Sequence, residues 1–259
     1  MASFEEKLND GATALGILLN ERQIYEIRRY YELLTEKNKV MNLTAVTGED
    51  DFLLKHVIDS LSIIKCQAFA EMADAAVKAG TKAERKETDS RRLRLIDVGT
   101  GAGLPGMILK IAFPKLEVTL FDSLKKRLAF LDEVIGTLGL EGIRTVHGRA
   151  EDFGKDRGFR EQYEIVVSRA VANMSSLSEY CLPFVRKGGF FAAYKSEDAA
   201  EEIMNADKAI RTLGGTKEAE ELFKLPGSDI TRRIVIIRKI KPTPTAYPRK
   251  AGTPSKNPL

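Results

Sequence analysis

The segment from Leu95 to Gly106, LIDVGTGAGLPG, is the feature that most constrains the fold of this chain. A short apolar run is followed by four glycines within eight residues, and an amphipathic run begins at Met107. This pattern predicts a strand, a tight glycine turn and the start of a helix. Glycines let the backbone pass close to a ligand, and the new helix presents unpaired N–H groups. The segment therefore predicts a site for a nucleotide-like molecule at the carboxyl end of a parallel strand.

Apolar strand candidates alternate with helical stretches from Leu93 onward. Such alternation predicts an α/β fold, in which a mostly parallel sheet carries helices on both faces. The last two strand candidates, 217–224 and 231–240, are joined by the turn LPGSD without a helix, so they predict a terminal hairpin with one antiparallel strand. The other strands are expected at 93–98, 117–122, 143–147, 164–168 and 188–194, and the helices at 106–113, 124–138, 174–186 and 197–213.

The composition is typical of a globular, cytoplasmic protein. The chain has 259 residues, of which 43% are hydrophobic, and no apolar run reaches the length of a membrane span. The two cysteines, Cys66 and Cys181, form no metal-binding spacing, so we expect them to be buried in a protein of a reducing compartment. The two histidines, His56 and His147, are far apart in sequence. We therefore expect neither a metal site nor a membrane segment.

The chain divides into four predicted parts. Residues 1–70 predict an N-terminal helical extension, which includes a helix from Phe52 to Cys66. Residues 71–92 predict a charged linker or insertion, and residues 93–240 predict the α/β core. Residues 241–259 form a basic, proline-rich tail.

The tail has a composition that does not favour a packed core. Residues 230–259 hold eight basic side chains and no acidic one, and five of the nine prolines follow Ile240. A basic extended arm is a common contact for nucleic acid, so we expect Arg249, Lys250 and Lys256 to contact phosphates. The alternative is a solvated terminus without a function.

Three further places are expected at the same sheet edge as the glycine turn. Asp122 ends the strand EVTLFD 23 positions after Gly99, the usual separation for an acid that accepts the hydroxyls of a ribose. The alternative is that Asp122 and Ser123 cap the following helix. Leu124 can pack on an adenine ring, and Ala150 with Glu151 can recognise an adenine amino group, although Glu151 also suits the first turn of a helix. Arg169, in the segment VVSRAVA, is the third place.

Two ligands fit a glycine turn followed by a ribose acid, namely NAD and S-adenosylmethionine. The glycine pattern here is GxGxG followed by Leu-Pro-Gly, which differs from the usual GxGxxG register. A terminal hairpin is typical of methyltransferase sheets, and a second nucleotide-binding half is absent from the sequence pattern. These features favour S-adenosylmethionine.

The chain resembles the bacterial glucose-inhibited division protein B family, the 16S rRNA guanine-N7 methyltransferases. The matching motifs occur in the family's order and cover most of the chain; they are MNLTA, KHVIDS, LIDVGTGAGLPG, LFDSLKKRLAFL, HGRAEDF, VVSRAVA, AAYKS, TRRIVIIRK and YPRKAGTPSKNP. The charged stretch near 74–92 departs from the family pattern as an apparent insertion and touches no matched motif.

The resemblance implies a class I S-adenosylmethionine-dependent methyltransferase fold, Rossmann-like, with an N-terminal helical extension. It implies methyl transfer from S-adenosyl-L-methionine to N7 of a guanine in the decoding-region loop of 16S rRNA, guanine 527 in the family. The implied partner is 16S rRNA or the small ribosomal subunit, and we expect a monomer. The family's cofactor positions fall here on Gly99, Leu104, Asp122, Ser123, Leu124, Ala150, Glu151 and Arg169.

Guanine N7 has a free lone pair at neutral pH, so the reaction needs no general base and the sequence suggests none. What it needs is an in-line arrangement of N7, methyl carbon and sulfur. The candidates for positioning the substrate are Arg149, Arg169, Lys195 and Arg232. Arg232 and Arg233 are neighbours on a strand and face opposite ways, so we expect only one of them, Arg232, to reach RNA.

Three residues of the N-terminal part are weaker candidates. His56 and Asp59 lie three apart on one helical face and either close over the site or form a hydrogen bond between helices. Asn42 is expected to form a turn.

Two other functions are consistent with parts of the pattern, a non-catalytic nucleotide- or RNA-binding module and an NAD-dependent oxidoreductase.

Overall fold

Seven strands form one sheet in the order β3-β2-β1-β4-β5-β7-β6. The computed structural model describes residues 2–79, 93–169 and 171–259. The pairs β1–β2, β2–β3, β1–β4 and β4–β5 are parallel, whereas β7 is antiparallel to both β5 and β6. The prediction of a mostly parallel sheet with a terminal hairpin is confirmed. The strands are β1 Arg94–Val98, β2 Glu117–Asp122, β3 Ile143–His147, β4 Tyr163–Arg169, β5 Val185–Ser196, β6 Gly215–Lys224 and β7 Thr231–Lys239.

Helices precede the sheet and connect its strands. Apolar residues on the two faces of the strands belong to two hydrophobic clusters, one shared with the N-terminal helices and one with the helices that follow β4 and β5. The α-helices are α1 Phe4–Ala14, α2 Glu21–Met41, α3 Glu49–Phe52, α4 Asp59–Leu61, α5 Gln67–Ala79, α6 Gly106–Ala112, α7 Lys125–Leu138, α8 Ala150–Phe153, α9 Met174–Cys181, α10 Ala200–Asn205, α11 Asp207–Thr212 and α12 Thr253–Lys256. The predicted linker 71–92 begins inside α5 and lies from residue 80 onward outside the described residues.

Helix α2 donates hydrogen bonds to the end of α6 and to the glycine turn. Asn20 and Gln23 form a capping box at its start, and Gln23 Nε2 also donates to the carbonyl oxygens of Ile111 and Ala112 at 2.9 and 3.0 Å. These two carbonyls lie at the end of α6, where no helical N–H remains to bond them. Further along α2, the hydroxyl of the buried Tyr30 donates to the carbonyl of Ala102 at 2.5 Å. The N-terminal extension thus holds a backbone oxygen of the turn itself.

The helix predicted from Phe52 to Cys66 forms with interruptions. Leu53–Ile58 is a π-helical turn between α3 and α4, and Ser62–Lys65 is a 3-10 helix. Such π-helical turns are frequent at functional sites. This one carries His56, whose ring bonds Thr44 Oγ1 at 2.8 Å and the Lys55 carbonyl at 3.0 Å.

The C-terminal segment, residues 241–259, packs against the core and is not the extended arm predicted from its composition. Arg160 donates to the carbonyls of Thr243, Pro244 and Tyr247 at 2.6, 3.2 and 2.9 Å. Further along, the segment forms α12 and buries Pro254. Prolines and basic residues do not prevent packing here because the partners that bond the segment come from the core.

We predict that Tyr30→Phe lowers the free energy of unfolding by about 1–3 kcal/mol, because the buried carbonyl of Ala102 loses its donor. Denaturant titration measures this change. The control is Tyr25→Phe on the same helix, whose side chain is 64% exposed and which we expect to change stability by less than about 0.5 kcal/mol. Equal effects of the two substitutions would contradict the interpretation.

A second prediction concerns the stability of the fold at acidic pH. Burial and the nearby Arg169 guanidinium lower the pKa of His56 to about 4, from 6.5 for an unperturbed histidine. Between these values the unfolded chain binds more protons than the folded one, so this group contributes stability above pH 6.5 that is lost as the pH falls toward 4.

Replacing His56 by Gln removes this contribution. We expect the free energy of unfolding, measured by denaturant titration between pH 4.5 and 7.5, to fall less with acid in His56→Gln than in the unsubstituted protein, by up to about 3 kcal/mol. The exposed His147, changed to Gln, is the control and is expected to leave the slope unchanged. A slope unaffected by His56→Gln would refute the assignment.

Candidate functional site

A cavity of about 550 Å³ lies at the carboxyl edge of β1, β2, β3 and β4. The glycine turn forms one wall, and residues that follow β2 and β3 form another. Ligand sites of α/β sheets lie at this edge, and their volumes fall in the same range. Eight of the sequence candidates for this ligand and its surroundings line the cavity, namely Gly99, Leu104, Asp122, Ser123, Arg149, Ala150, Glu151 and Arg169. The predicted edge is therefore a real concavity.

Glycine is required in the turn for conformation and for space. Gly99 has φ +74°, and a Cβ there would lie 2.6 Å from Cγ2 of Val171. Gly103 has φ +102°, and a Cβ there would meet Leu131 at 2.7 Å. Both backbone conformations are in the left-handed region that side chains with a Cβ disfavour.

Asp97 organises the turn and is the residue that the sequence analysis missed. Its carboxylate is fully buried, and Oδ2 accepts from the Thr100 hydroxyl at 2.7 Å and from the Gly106 N–H at 2.9 Å. Burial raises the pKa of Asp97 to about 6. The signal was present in the sequence, because Asp97 is an acid inside an otherwise apolar strand, two residues before the first glycine.

Asp122 presents a restrained carboxylate to the cavity. It is 4% exposed; Oδ1 accepts from the Leu124 N–H at 2.8 Å, and Oδ2 accepts from the Gly101 N–H at 2.9 Å. The capping alternative is not observed, because the N-cap of α7 is Leu124 and has no side-chain capping bond. Arg127 Nη1 forms an ion pair with Oδ2 at 3.6 Å, and since a carboxylate has about four lone-pair positions, positions remain for a ligand.

The two predicted adenine contacts, Leu124 and Glu151, differ in their position relative to the cavity. Leu124, which was predicted to pack on an adenine ring, is 50% exposed and is not among the residues that line the cavity. Glu151, 7% exposed, lies in the first turn of α8 and accepts from the Gly252 N–H through Oε1 at 2.9 Å. The short helix was one of the two alternatives for Glu151, and the carboxylate nevertheless lines the cavity.

A second cavity of about 510 Å³ adjoins the first, and His56 and Arg169 line both. Lys195 and Arg232 also line the second cavity. Lys195 Nζ bonds the Ala172 carbonyl at 2.7 Å and Glu202 at 2.8 Å. Arg149, the fourth positioning candidate, lines only the first. The structure thus brings three of the four candidates together.

Asp59 connects the two arginines of the second cavity. Its carboxylate, 3% exposed, accepts from Arg169 Nη1 at 2.8 Å and from Arg232 Nε at 3.0 Å. Arg233 faces the other side of the sheet, where it pairs with Glu220. The two neighbours therefore face opposite ways, as expected, and Arg232 lines the second cavity. That Arg232 reaches RNA stays a prediction. Asn42 ends α2 with φ +49° and lines neither cavity.

Thiol and metal chemistry find no support in the described part of the chain. Cys66 and Cys181 are buried, and burial raises the pKa of Cys66 to about 12 and that of Cys181 well above its usual value. Among the described side chains, those of residues 2–73, 93–169 and 171–259, no three His, Cys, Asp or Glu are grouped to hold a metal ion. No helix within these ranges is long and apolar enough to cross a membrane.

Sequence comparison places the chain among known proteins. A family model described as rRNA small subunit methyltransferase G matches residues 23–231. The protein named ribosomal RNA small subunit methyltransferase G from Alkaliphilus metalliredigens is 47% identical over 252 residues, which cover 97% of this chain and 97% of that protein. The protein of the same name from Exiguobacterium sp. is 45% identical over 255 residues, covering 98% and 99%.

Solved structures give more distant similarities. A predicted O-methyltransferase from Agrobacterium tumefaciens aligns with a TM-score of 0.47 and 19% identity, over 58% of this chain and 76% of that one. TrmN from Thermus thermophilus aligns with a TM-score of 0.45 and 16% identity, over 73% of this chain and 53% of that one.

The sheet has the parallel strands and the antiparallel β7 that the sequence analysis expected for a class I methyltransferase fold. The family match extends from α2 to the start of β7, and the relatives align over nearly the whole chain. The protein therefore belongs to the rRNA small subunit methyltransferase G family.

Proposed function

We propose that this protein transfers a methyl group from S-adenosyl-L-methionine to N7 of a guanine in the decoding-region loop of 16S rRNA. The observation that carries the proposal is the junction of two cavities at His56 and Arg169, one beside the glycine turn and one lined by cationic side chains. The names of the relatives, which are ribosomal RNA small subunit methyltransferases, support the choice of RNA.

The first cavity fits the cofactor. Beside its two backbone hydrogen bonds and its ion pair with Arg127, Asp122 keeps lone-pair positions for the hydroxyls of a ribose. The exposed Leu124, outside the cavity lining, stays a predicted contact for the face of an adenine. Glu151 is placed to accept from the adenine amino group, and the glycine turn leaves room for close approach of the backbone. When bound, S-adenosylmethionine supplies a methyl group on a positively charged sulfur.

The second cavity is the proposed site of the guanine. N7 carries its own lone pair, so the protein has to orient the base and need not remove a proton. His56 is suited to an orienting role, because its lowered pKa of about 4 keeps the ring neutral at physiological pH. Arg169 and Arg232 are held in place by Asp59 and offer N–H donors to O6 or to a phosphate.

Charge favours RNA as the partner. The formal net charge is +4, and the exposed Arg149 lines the first cavity together with Arg127 and Arg169. Lys250 and Lys256 are exposed on the C-terminal segment and remain candidates for phosphate contacts. Arg249 does not, because its guanidinium is bonded to Glu179. The monomeric state and the cytoplasmic location stay predictions.

The proposed function predicts that the purified protein transfers labelled methyl from S-adenosylmethionine to 16S rRNA of small subunits that lack the modification. We expect the label at a single guanine, detected as N7-methylguanine by chemical cleavage and primer extension. Label on other guanine atoms, on another RNA or on protein would contradict the proposal, and an effect of NAD without an effect of S-adenosylmethionine would favour an oxidoreductase.

Asp122→Asn tests the ribose contact. We expect the dissociation constant of S-adenosylhomocysteine, measured by calorimetry, to rise about 10- to 100-fold, because a charged acceptor contributes about 1.5–3 kcal/mol. Asp132→Asn, which changes an exposed carboxylate on α7, is the matched control and is expected to bind normally. Equal affinity of the two variants would remove Asp122 from the site.

Arg232→Gln tests the acceptor cavity. Asp59 keeps Arg169 as a partner in this variant, so we expect the fold to persist. The kcat/KM for methylation of the small ribosomal subunit should fall about 10- to 100-fold, because one charged hydrogen bond to the substrate is lost. The affinity for S-adenosylhomocysteine should not change.

Arg233→Gln is the control, since the neighbouring side chain lies on the opposite face of β7 and bonds Glu220. We expect it to methylate normally at temperatures where it is folded. The assignment would be wrong if Arg233→Gln lost as much activity as Arg232→Gln, or if Arg232→Gln lost cofactor affinity.

A further inference from the structure

A buried ion pair anchors the C-terminal segment to α9. The Glu179 side chain is fully buried, and its carboxylate accepts from Arg249 Nε at 3.0 and 3.1 Å, from Nη2 at 2.7 Å and from the Arg249 backbone N–H at 2.7 Å. A buried carboxylate requires such compensation, and Arg249 provides all the hydrogen bonds to Glu179 found within the described residues. Arg249 Nη2 also bonds the carbonyl of Asn257 at 2.8 Å, which closes the segment on itself.

Three residues after Arg249, the segment bonds a residue that lines the first cavity. The N–H of Gly252 donates to Oε1 of Glu151 at 2.9 Å, a contact between residues 101 positions apart. Gly252 has φ +82°, so its backbone takes a conformation that suits glycine. On the far side, Ser176 Oγ of α9 bonds the carbonyl of Pro254 at 2.6 Å. Gly252 is therefore fixed from both sides.

Glu151 depends on this contact for its orientation. Its helix, α8, is a single turn of four residues without a side-chain capping bond. Within the described residues, the Glu151 carboxylate accepts its hydrogen bond from the Gly252 N–H. The restraint on the carboxylate comes from the C-terminal segment and from no element of the sheet.

We infer that Arg249 is a positioning residue of the cofactor site, which acts through Gly252 to hold Glu151 at the base end of the first cavity. The inference rests on the proposed function in assuming that this cavity takes adenosine. A fixed carboxylate acceptor distinguishes a purine with a 6-amino donor from a purine with a 6-oxo group. The C-terminal segment thus determines how well the site recognises adenine.

The test compares S-adenosylhomocysteine with S-inosylhomocysteine, in which an oxo group replaces the 6-amino donor and N1 carries a proton. Dissociation constants for both are measured by calorimetry on the full-length protein. We expect the unsubstituted protein to prefer the adenine ligand at least 10-fold, because sites built to accept a hydrogen bond reject analogues that cannot donate one. The preference is a ratio within one protein sample, so a partial loss of folded protein does not change it.

Two variants break the anchoring at different points. Arg249→Gln removes the ion pair, and its control is Lys250→Gln, the exposed neighbour. Gly252→Ala disturbs the left-handed backbone that directs the N–H to Glu151. Its control is Gly227→Ala in the turn between β6 and β7, because both glycines have positive φ and open space where a Cβ would be added.

We expect the adenine preference to fall to about threefold or less in Arg249→Gln and Gly252→Ala, and to stay as in the unsubstituted protein in both controls. If Arg249→Gln does not fold, Gly252→Ala decides. A folded Gly252→Ala that keeps the original preference would overturn the inference and leave the proposed function intact. An unsubstituted protein that binds neither ligand would overturn both.

Discussion

The carboxylate of Asp59 holds together the parts of the chain on which the site depends. It lies at the start of α4, yet its partners Arg169 and Arg232 are 110 and 173 positions away, at the end of β4 and the start of β7. A carboxylate that is 3% exposed is costly to bury unless it is paired and hydrogen-bonded, and two guanidinium groups satisfy both of its oxygens. The same bonds keep both arginines at the wall of the second cavity. Helical extension, parallel strands and terminal hairpin are thereby joined at one point.

The fold was predictable because its signals are periodic. Alternation of apolar strands and helices gave the parallel sheet, and the helix missing after β6 gave the hairpin. The sequence separation between Gly99 and Asp122 was likewise enough to place an acid beside the turn. Gly99 follows β1, and Asp122 ends β2, the adjacent parallel strand. Alternation along β7 separated Arg232 from Arg233, because neighbouring residues of a strand face opposite sides.

The features that sequence reasoning missed depend on contacts between distant residues. Composition predicted an extended tail, because prolines and basic residues seldom build a core. It does not reveal that Glu179 and Arg160, which are remote in sequence, satisfy the charge and the carbonyls of that tail. The π-helical turn around His56 has no distinct sequence signature either. Asp97 was missed because the sequence does not show that a buried carboxylate of β1 accepts from the hydroxyl and the backbone N–H of the turn that follows.

The balance of charge around the two cavities suits the proposed reaction. Methyl transfer to N7 moves one positive charge from the sulfur to the purine, over the distance between two adjoining cavities. Arginines alone would oppose a cationic product, and carboxylates alone would repel the phosphates of RNA. Here Asp122 and Glu151 line the first cavity together with Arg127, Arg149 and Arg169. The second cavity has Lys55 and the pair of Lys195 with Glu202, and it also has Asp59 between Arg169 and Arg232. Because that carboxylate offsets one of the two guanidinium charges, the second cavity keeps donors for the base while repelling the methylated purine less than two free arginines would.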